Sequence, residues 1–354
     1  MKLSRLSLAV GVSFLLFGGY QAASQQANQP AVNYKLIKTI SLPSAAGTRE
    51  SFDYLYFDPD ARRVYVTHGT EVAVLNADTY EVIGKITGLQ LTHGVITLKE
   101  FGKGYVTDGE GQKVVIFDPN TLKVTGEVKT NQVDTDGIVY DPVSKNIFSI
   151  NGNSKTITVI DPKAETALKT FDVGGAAEAG VVDGEGTLFD NNEEKSDVVV
   201  LDTRTLNIKA RWPVAPTGTP TALMIDTKNK RLFSAGRNPQ FLVMMDATNG
   251  KVLQSFPITG GVDYGVFEPD TGLVMISTRD GRVHIYHEDS PDKLTPVQAL
   301  MTEFGAKTMT LDPKTHNIWL STSDFDQPAT PTERQPNPLP RAKQGNFRIL
   351  VYGK

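Results

Sequence analysis

Short runs of Val, Ile, Leu, Phe and Tyr recur along the chain from residue 52 onward, each closed by Asp, Asn, Pro, Gly or Thr. Short β-branched and aromatic runs between turn formers predict strands rather than helices. The runs fall into a repeating unit. Its first strand ends on an acid or an equivalent residue, a second strand follows a short turn, and a third strand ends in Asp. The first ending recurs at Asp58, Leu98, Asp141, Asp183, Asp226, Glu268 and Asp312, at spacings of 40, 43, 42, 43, 42 and 44 residues. Four of these positions precede proline, as in Asp58-Pro59 and Asp141-Pro142. An acid before proline stops a strand and starts a turn.

A period of this length is that of propeller blades. The second strands read Val64-Tyr65-Val66-Thr67, Gly104-Tyr105-Val106-Thr107 and, in the last unit, Ile318-Trp319-Leu320-Ser321. Third strands close on Asn76, Asp118, Asp161, Asp202, Asp246 and His287. The acids there are read as turn residues that bond their own backbone two residues on, not as ligands. Seven first strands but only six third strands followed by a fourth leave one blade short. Phe347 to Tyr352 supplies its third strand and Tyr34 to Leu42 its fourth, so the ends of the chain tie the ring shut without a long open edge. The predicted fold is all-β: a seven-bladed β-propeller of four-stranded antiparallel blades, the last closed by the N-terminal strand.

The repeated Tyr-Val-Thr of residues 65–67 and 105–107, followed by a Val-Ile-Asp type strand, resembles the YVTN-repeat (YncE-like) β-propeller family. The likeness runs through nearly all of the chain after the first 33 residues. The fourth motif position is His68 or Asp108 instead of asparagine. The resemblance implies the propeller fold, and it also implies a possible place beside a periplasmic redox enzyme.

Lys2 and Arg5 precede an uncharged apolar stretch from Leu6 to Phe17, followed by Ala22, Ala23 and Ser24. That is the layout of a secretory signal peptide, too short to span a bilayer. The expected organisation is a signal peptide over 1–24, a short linker over 25–33 and one propeller domain over 34–354, exported to the periplasm or secreted, with no membrane span after cleavage. There is no cysteine, which excludes disulfides, thiolate metal sites and cysteine nucleophiles. Cleavage removes two cations and no acid, so the formal charge moves from -4 to -6. A mildly acidic chain has no generic attraction to nucleic acid, and none is expected as a partner. A monomer is expected.

In a propeller the innermost strand of each blade lines the central channel. Counting five residues back from each first ending gives Asp53, His93, Asp136, Glu178, Thr221, Asp263 and Lys307. This ring predicts a wet, anionic mouth suited to a cation, an amine or a polyhydroxyl ligand. Loops between second and third strands are expected to add His68, Asp108, Asn151, Asn191, Arg237 and Arg279 to the same rim. His68 and His93, from successive blades, could approach each other, whereas His284, His287 and His316 fall at structural or surface positions. Asp53, His93 and Asp136 form the tightest set, a mixed oxygen and nitrogen trio for a divalent ion such as Ca, Mn or Zn. No other cofactor is evident. The proline-rich loop 324–345, with Arg334, Arg341 and Lys343, is longer than ordinary connections; it reads as a lid or docking arm or as a solvated extended loop.

Three functions stay open. The first is a binding scaffold for an unidentified small molecule or periplasmic protein, with no catalysis evident, since nucleophile, zincin, Walker and haem-attachment motifs are absent from the sequence. The second, from a fold-level likeness to propeller lactonases, is a metal-dependent hydrolase using Asp53, His93, Asp136 and Glu178. The third is the accessory redox subunit named above.

Overall fold

The structure, a computed structural model, describes residues 32–45, 50–328 and 340–354. The predicted signal peptide, most of the linker and the centre of the proline-rich loop lie outside the described residues. Among those described, the strands form seven four-stranded antiparallel sheets arranged as a ring of blades. Blades 1 to 6 follow one another from Phe52 to Met301. Blade 7 joins Met309–Leu311, Ile318–Thr322 and Arg348–Gly353 to the N-terminal strand Lys35–Ser41, which pairs Ile40 with Ile349 and Thr39 with Leu350. The split closing blade matches the sequence expectation. No helix among the described residues is long and apolar enough to cross a membrane.

One position in every second strand carries a large buried side chain: Tyr65, Tyr105, Phe148, Phe189, Phe233, Met275 and Trp319. The apolar core is a ring of seven clusters, each built from two adjacent blades. Tyr65 and Val74 of blade 1 pack with Val106 and Phe117 of blade 2, for example, and Trp319 and Phe347 of blade 7 with Leu55 and Val66 of blade 1. Burying one such side chain stabilises by about 1.5–3 kcal/mol. Because both termini feed blade 7, its two junctions close the molecule.

The repeated acids act as turn residues. Asp58 accepts the Asp60 and Ala61 amides at 3.0 Å, and Asp202 accepts those of Arg204 and Thr205 at 3.0 and 2.8 Å. Asp183 and Asp312 lie just past their strand ends and do the same for Glu185 and Lys314. Arg62 reaches under the junction to Asp312 with two bonds of 2.5 and 2.7 Å. One boundary differs from the sequence reading. In blade 6 the third strand runs past His287 to Ser290, because no Asp stands there to set the turn, and the fourth strand starts at Lys293.

Candidate functional site

Asp53, His93, Asp136, Glu178, Thr221 and Asp263 are each the second residue of an innermost strand, and the pairing register slips at or just after that residue in all six blades. A bulge re-aims side chains and is common beside functional sites. Here six repeated slips present one side chain per blade at the same end of the channel, and Lys307 of blade 7 joins them.

The contacts link these residues into a chain. His93 Nδ1 is 2.6 Å from Asp53 Oδ2 and 3.5 Å from Asp136 Oδ1. Lys307 Nζ lies 3.5 Å from Asp53 and 3.6 Å from Asp263. Asp263 also takes Arg279 at 2.5 Å and Arg237 at 3.1 Å. Arg237 continues to Glu193 at 3.0 Å and stands 3.8 Å from Glu178, while Thr221 donates to Glu193 at 2.9 Å.

The network is electrostatically lopsided. Burial would raise the Asp263 carboxyl, but Lys307, Arg279 and Arg237 outweigh it and hold it far below the usual carboxylate range. Asp53 is lowered too, Lys307 and His93 overcoming burial. On the opposite arc burial wins: it pushes Asp136 up to about 7 against the pull of His93, and Glu178 well above its ordinary value with the help of Asp136 and Glu193. Burial disfavours a charged His93, yet Asp136 and Asp53 lift it to about 9. Below the arc is a cavity of about 260 Å³ lined by Tyr54, Tyr264, Tyr140 and Glu178 among others. The Tyr54 and Tyr264 rings meet edge-on at 5.2 Å.

Four residues expected on the rim are turned into the blades. His68 is 1 % exposed, hydrogen-bonded to Glu50 and stacked on Phe347, so it does not approach His93. Asp108 is buried and accepts the amides of Gln90, Leu91 and Gly111. Asn151 is buried and donates to Thr156 and Thr158, and Asn191 donates to the Ala222 carbonyl and accepts from Ser234. The physical reason is shared: a polar side chain at the end of a central strand bonds the loop or blade packed against it before it can reach solvent. Conversely, sequence counting missed Asp134, 3.9 Å from His93 Nε2, and Glu193. Both are acids within two residues of an expected rim position, a signal that a wider window would have caught.

The described base of the proline-rich loop folds back on itself. Phe325 pairs with Ala342, and Lys343 donates its amide to Asp324 at 2.8 Å. Phe325 packs edge-on against Phe304 and Phe52.

No family model and no curated protein matches the sequence. Among solved structures, a chain of the crystal structure of the mitotic checkpoint complex is similar, with a TM-score of 0.72 over 98% of this chain and 99% of that one, at 13% identity. A likeness of that kind concerns the fold alone: the chain is a seven-bladed β-propeller of four-stranded antiparallel blades.

Proposed function

We propose that the protein is an exported propeller of the YVTN (YncE-like) kind that serves as a binding scaffold, taking a small organic amine at the channel mouth without transforming it. The observation that carries this reading is the under-compensated arc of Asp136 and Glu178 above Tyr54. An ammonium entering there would supply the missing counter-charge, restore ionisation to buried carboxyls and rest against an aromatic face. The cavity, at about 260 Å³, is near the small end of ligand sites, which start at about 300 Å³, and suits a ligand of few heavy atoms.

The test is calorimetry of the mature protein with a series of primary, diamino and quaternary amines. Binding that weakens at least about 10-fold in Glu178→Gln, a loss of about 1.4 kcal/mol, supports the reading. No heat with any amine at millimolar concentration, or equal affinity in the variant, removes it. A second reading, metal-dependent hydrolysis of lactones, is favoured by the grouping of Asp53, His93 and Asp136 within 4.8 Å. Turnover of a lactone or ester panel that disappears in His93→Ala would put it first.

A further inference from the structure

We propose that Asp53, His93 and Asp136 hold one divalent ion of the zinc or manganese class at the channel mouth. The inference rests on the reading of that mouth as the ligand-binding face and names a second occupant for it on the blade 1 to 3 side; with the ion on Asp136, Glu178 alone supplies the amine's counter-charge.

The three residues come from three consecutive blades at the same slipped register, so their convergence follows from the fold and not from one loop's conformation. One ligand atom from each lies within 4.8 Å of the others. Zinc-bound oxygen and nitrogen atoms sit about 2.0–2.2 Å from the metal, which places two ligands about 3–3.5 Å apart. The 3.5 Å between His93 Nδ1 and Asp136 Oδ1 already fits, and the 2.6 Å to Asp53 Oδ2 needs a small opening.

Three further observations point at a ligand. Asp136 Oδ1 is enclosed and has no hydrogen-bond partner among the described residues, its contact with His93 Nδ1 being a long ion pair of 3.5 Å, which leaves a carboxylate oxygen under-satisfied unless something else is bound there. Asp53 divides its oxygens: Oδ1 faces Lys307, and Oδ2 faces His93. Lys307 is itself shared between Asp53 and Asp263, so its charge is balanced without the trio's remaining oxygens.

The backbone beneath the trio is fixed. Thr308 Oγ1 donates to the Asp53 carbonyl at 2.6 Å, Thr107 Oγ1 to the Asp136 carbonyl at 2.5 Å, and the Gly94 amide beside His93 donates to Thr107 at 2.7 Å. Gly109 leaves room for the imidazole: a Cβ there would stand 2.6 Å from His93 Nε2 and push the ring aside. Such outer contacts orient ligands and tune affinity. An imidazole with two carboxylates selects first-row ions over calcium or magnesium, which prefer all-oxygen sets.

The experiment uses mature protein stripped with a chelator and titrated with Zn2+, Mn2+ and Ca2+ by calorimetry, with elemental analysis after re-dialysis. The expected result is one Zn2+ or Mn2+ per chain, weaker Ca2+, and affinity lowered about 100-fold in both His93→Ala and Asp136→Asn. Asp136→Asn keeps the side-chain shape, so it tests the site if the alanine variant folds poorly; unchanged melting shows the fold is intact. Glu178→Gln is expected to keep the metal while binding amine at least about 10-fold more weakly, which separates the two occupants. No stoichiometric Zn2+ or Mn2+ on the wild type, or full affinity in both trio variants, overturns the site even if amines bind.

Discussion

Thr107 of blade 2 donates its hydroxyl to the backbone carbonyl of Asp136 in blade 3 at 2.5 Å. The same oxygen accepts the Gly94 amide, so one side chain fixes the ring positions of two blades. At the matching second-strand position Ser277 bonds the Lys307 carbonyl and Asn191 that of Ala222 in the same way, while in blade 7 Thr308, bonded to Ser321, reaches the Asp53 carbonyl. In the second Tyr-Val-Thr, Thr107 thus clamps the next blade's inner strand, whereas Thr67 of the first bonds the Tyr54 carbonyl of its own blade at 2.9 Å. Thr107→Val, which keeps the shape and removes the hydroxyl, should cost about 1–3 kcal/mol by leaving a buried carbonyl and amide unpaired. Urea unfolding checks this; an unchanged midpoint would remove the clamp.

Asp108 performs a different task one residue on. Its carboxylate receives the amides of Gln90 at 3.1 Å, Leu91 at 2.9 Å and Gly111 at 3.2 Å, gathering the loops on both sides of the strand end. Asp108→Ala should destabilise by about 1–3 kcal/mol, more than Glu178→Gln on the rim, since three backbone donors at the edge of the core lose their acceptor at once. Comparing the two variants in one urea series separates an acid that holds loops from one that stands on the channel rim. Equal stabilities would mean that Asp108 is dispensable to the loops.

The same pair of neighbours marks how far the sequence could be read. The period of turn acids fixes seven blades and the split closure, because Asp58 and Asp202 show their role through local spacing alone. Counting back to the channel works because the slip in pairing repeats in blades 1 to 6, so Asp53, His93, Asp136, Glu178 and Asp263 stay in phase. It gives no guide to the strand ends, where Asp108 and Asn151 look like rim residues in composition yet turn inward to partners in other segments. The pairing of Asp263 with three cations is likewise a property of the closed ring and has no signature along the chain.

Asp190 gives a pH dependence of stability with a defined sign. It occupies the strand position held elsewhere by Val66, Val106, Ser149 and Ser234, it is 1 % exposed, and neither carboxylate oxygen has a partner among the described residues. Burial, with a smaller push from Asp197, holds its pKa well above the ordinary aspartate range. The folded chain therefore keeps a proton that the unfolded chain gives up above about pH 4. Its stabilising contribution is complete below that pH and is lost as pH rises towards the folded pKa, at about 1.4 kcal/mol for each unit of upward shift. Asp190→Asn should flatten the decline of stability between pH 5 and pH 8. Parallel curves for variant and wild type would show that Asp190 does not titrate this way.

Blade junctions carry one more coupled pair. At the turn after the third strand of blades 1 to 4, Tyr80, Leu122, Glu165 and Leu206 hold positive φ angles of 64°, 60°, 57° and 57° and sit at the same hydrogen-bonded position, each amide donating to the backbone carbonyl of the acid or asparagine four residues back. Their side chains reach the preceding blade: Tyr80 packs on Trp319, and Leu122 lies over Gly84. In blade 5 the position is Gly250, φ 76°, and a Cβ there would stand 2.1 Å from Trp212 Cγ of blade 4. The indole fills the space that a reaching side chain takes elsewhere. Gly250→Ala should therefore cost about 1–3 kcal/mol through overpacking. Trp212→Val, the residue type of Val128 at the matching position of blade 2, opens that space. In that background the alanine penalty should shrink to the backbone cost of a positive φ, about 1 kcal/mol. A double-mutant cycle by urea unfolding measures the difference, expected at about 0.5–3 kcal/mol. Strict additivity would show that the indole and the glycine were not matched to each other.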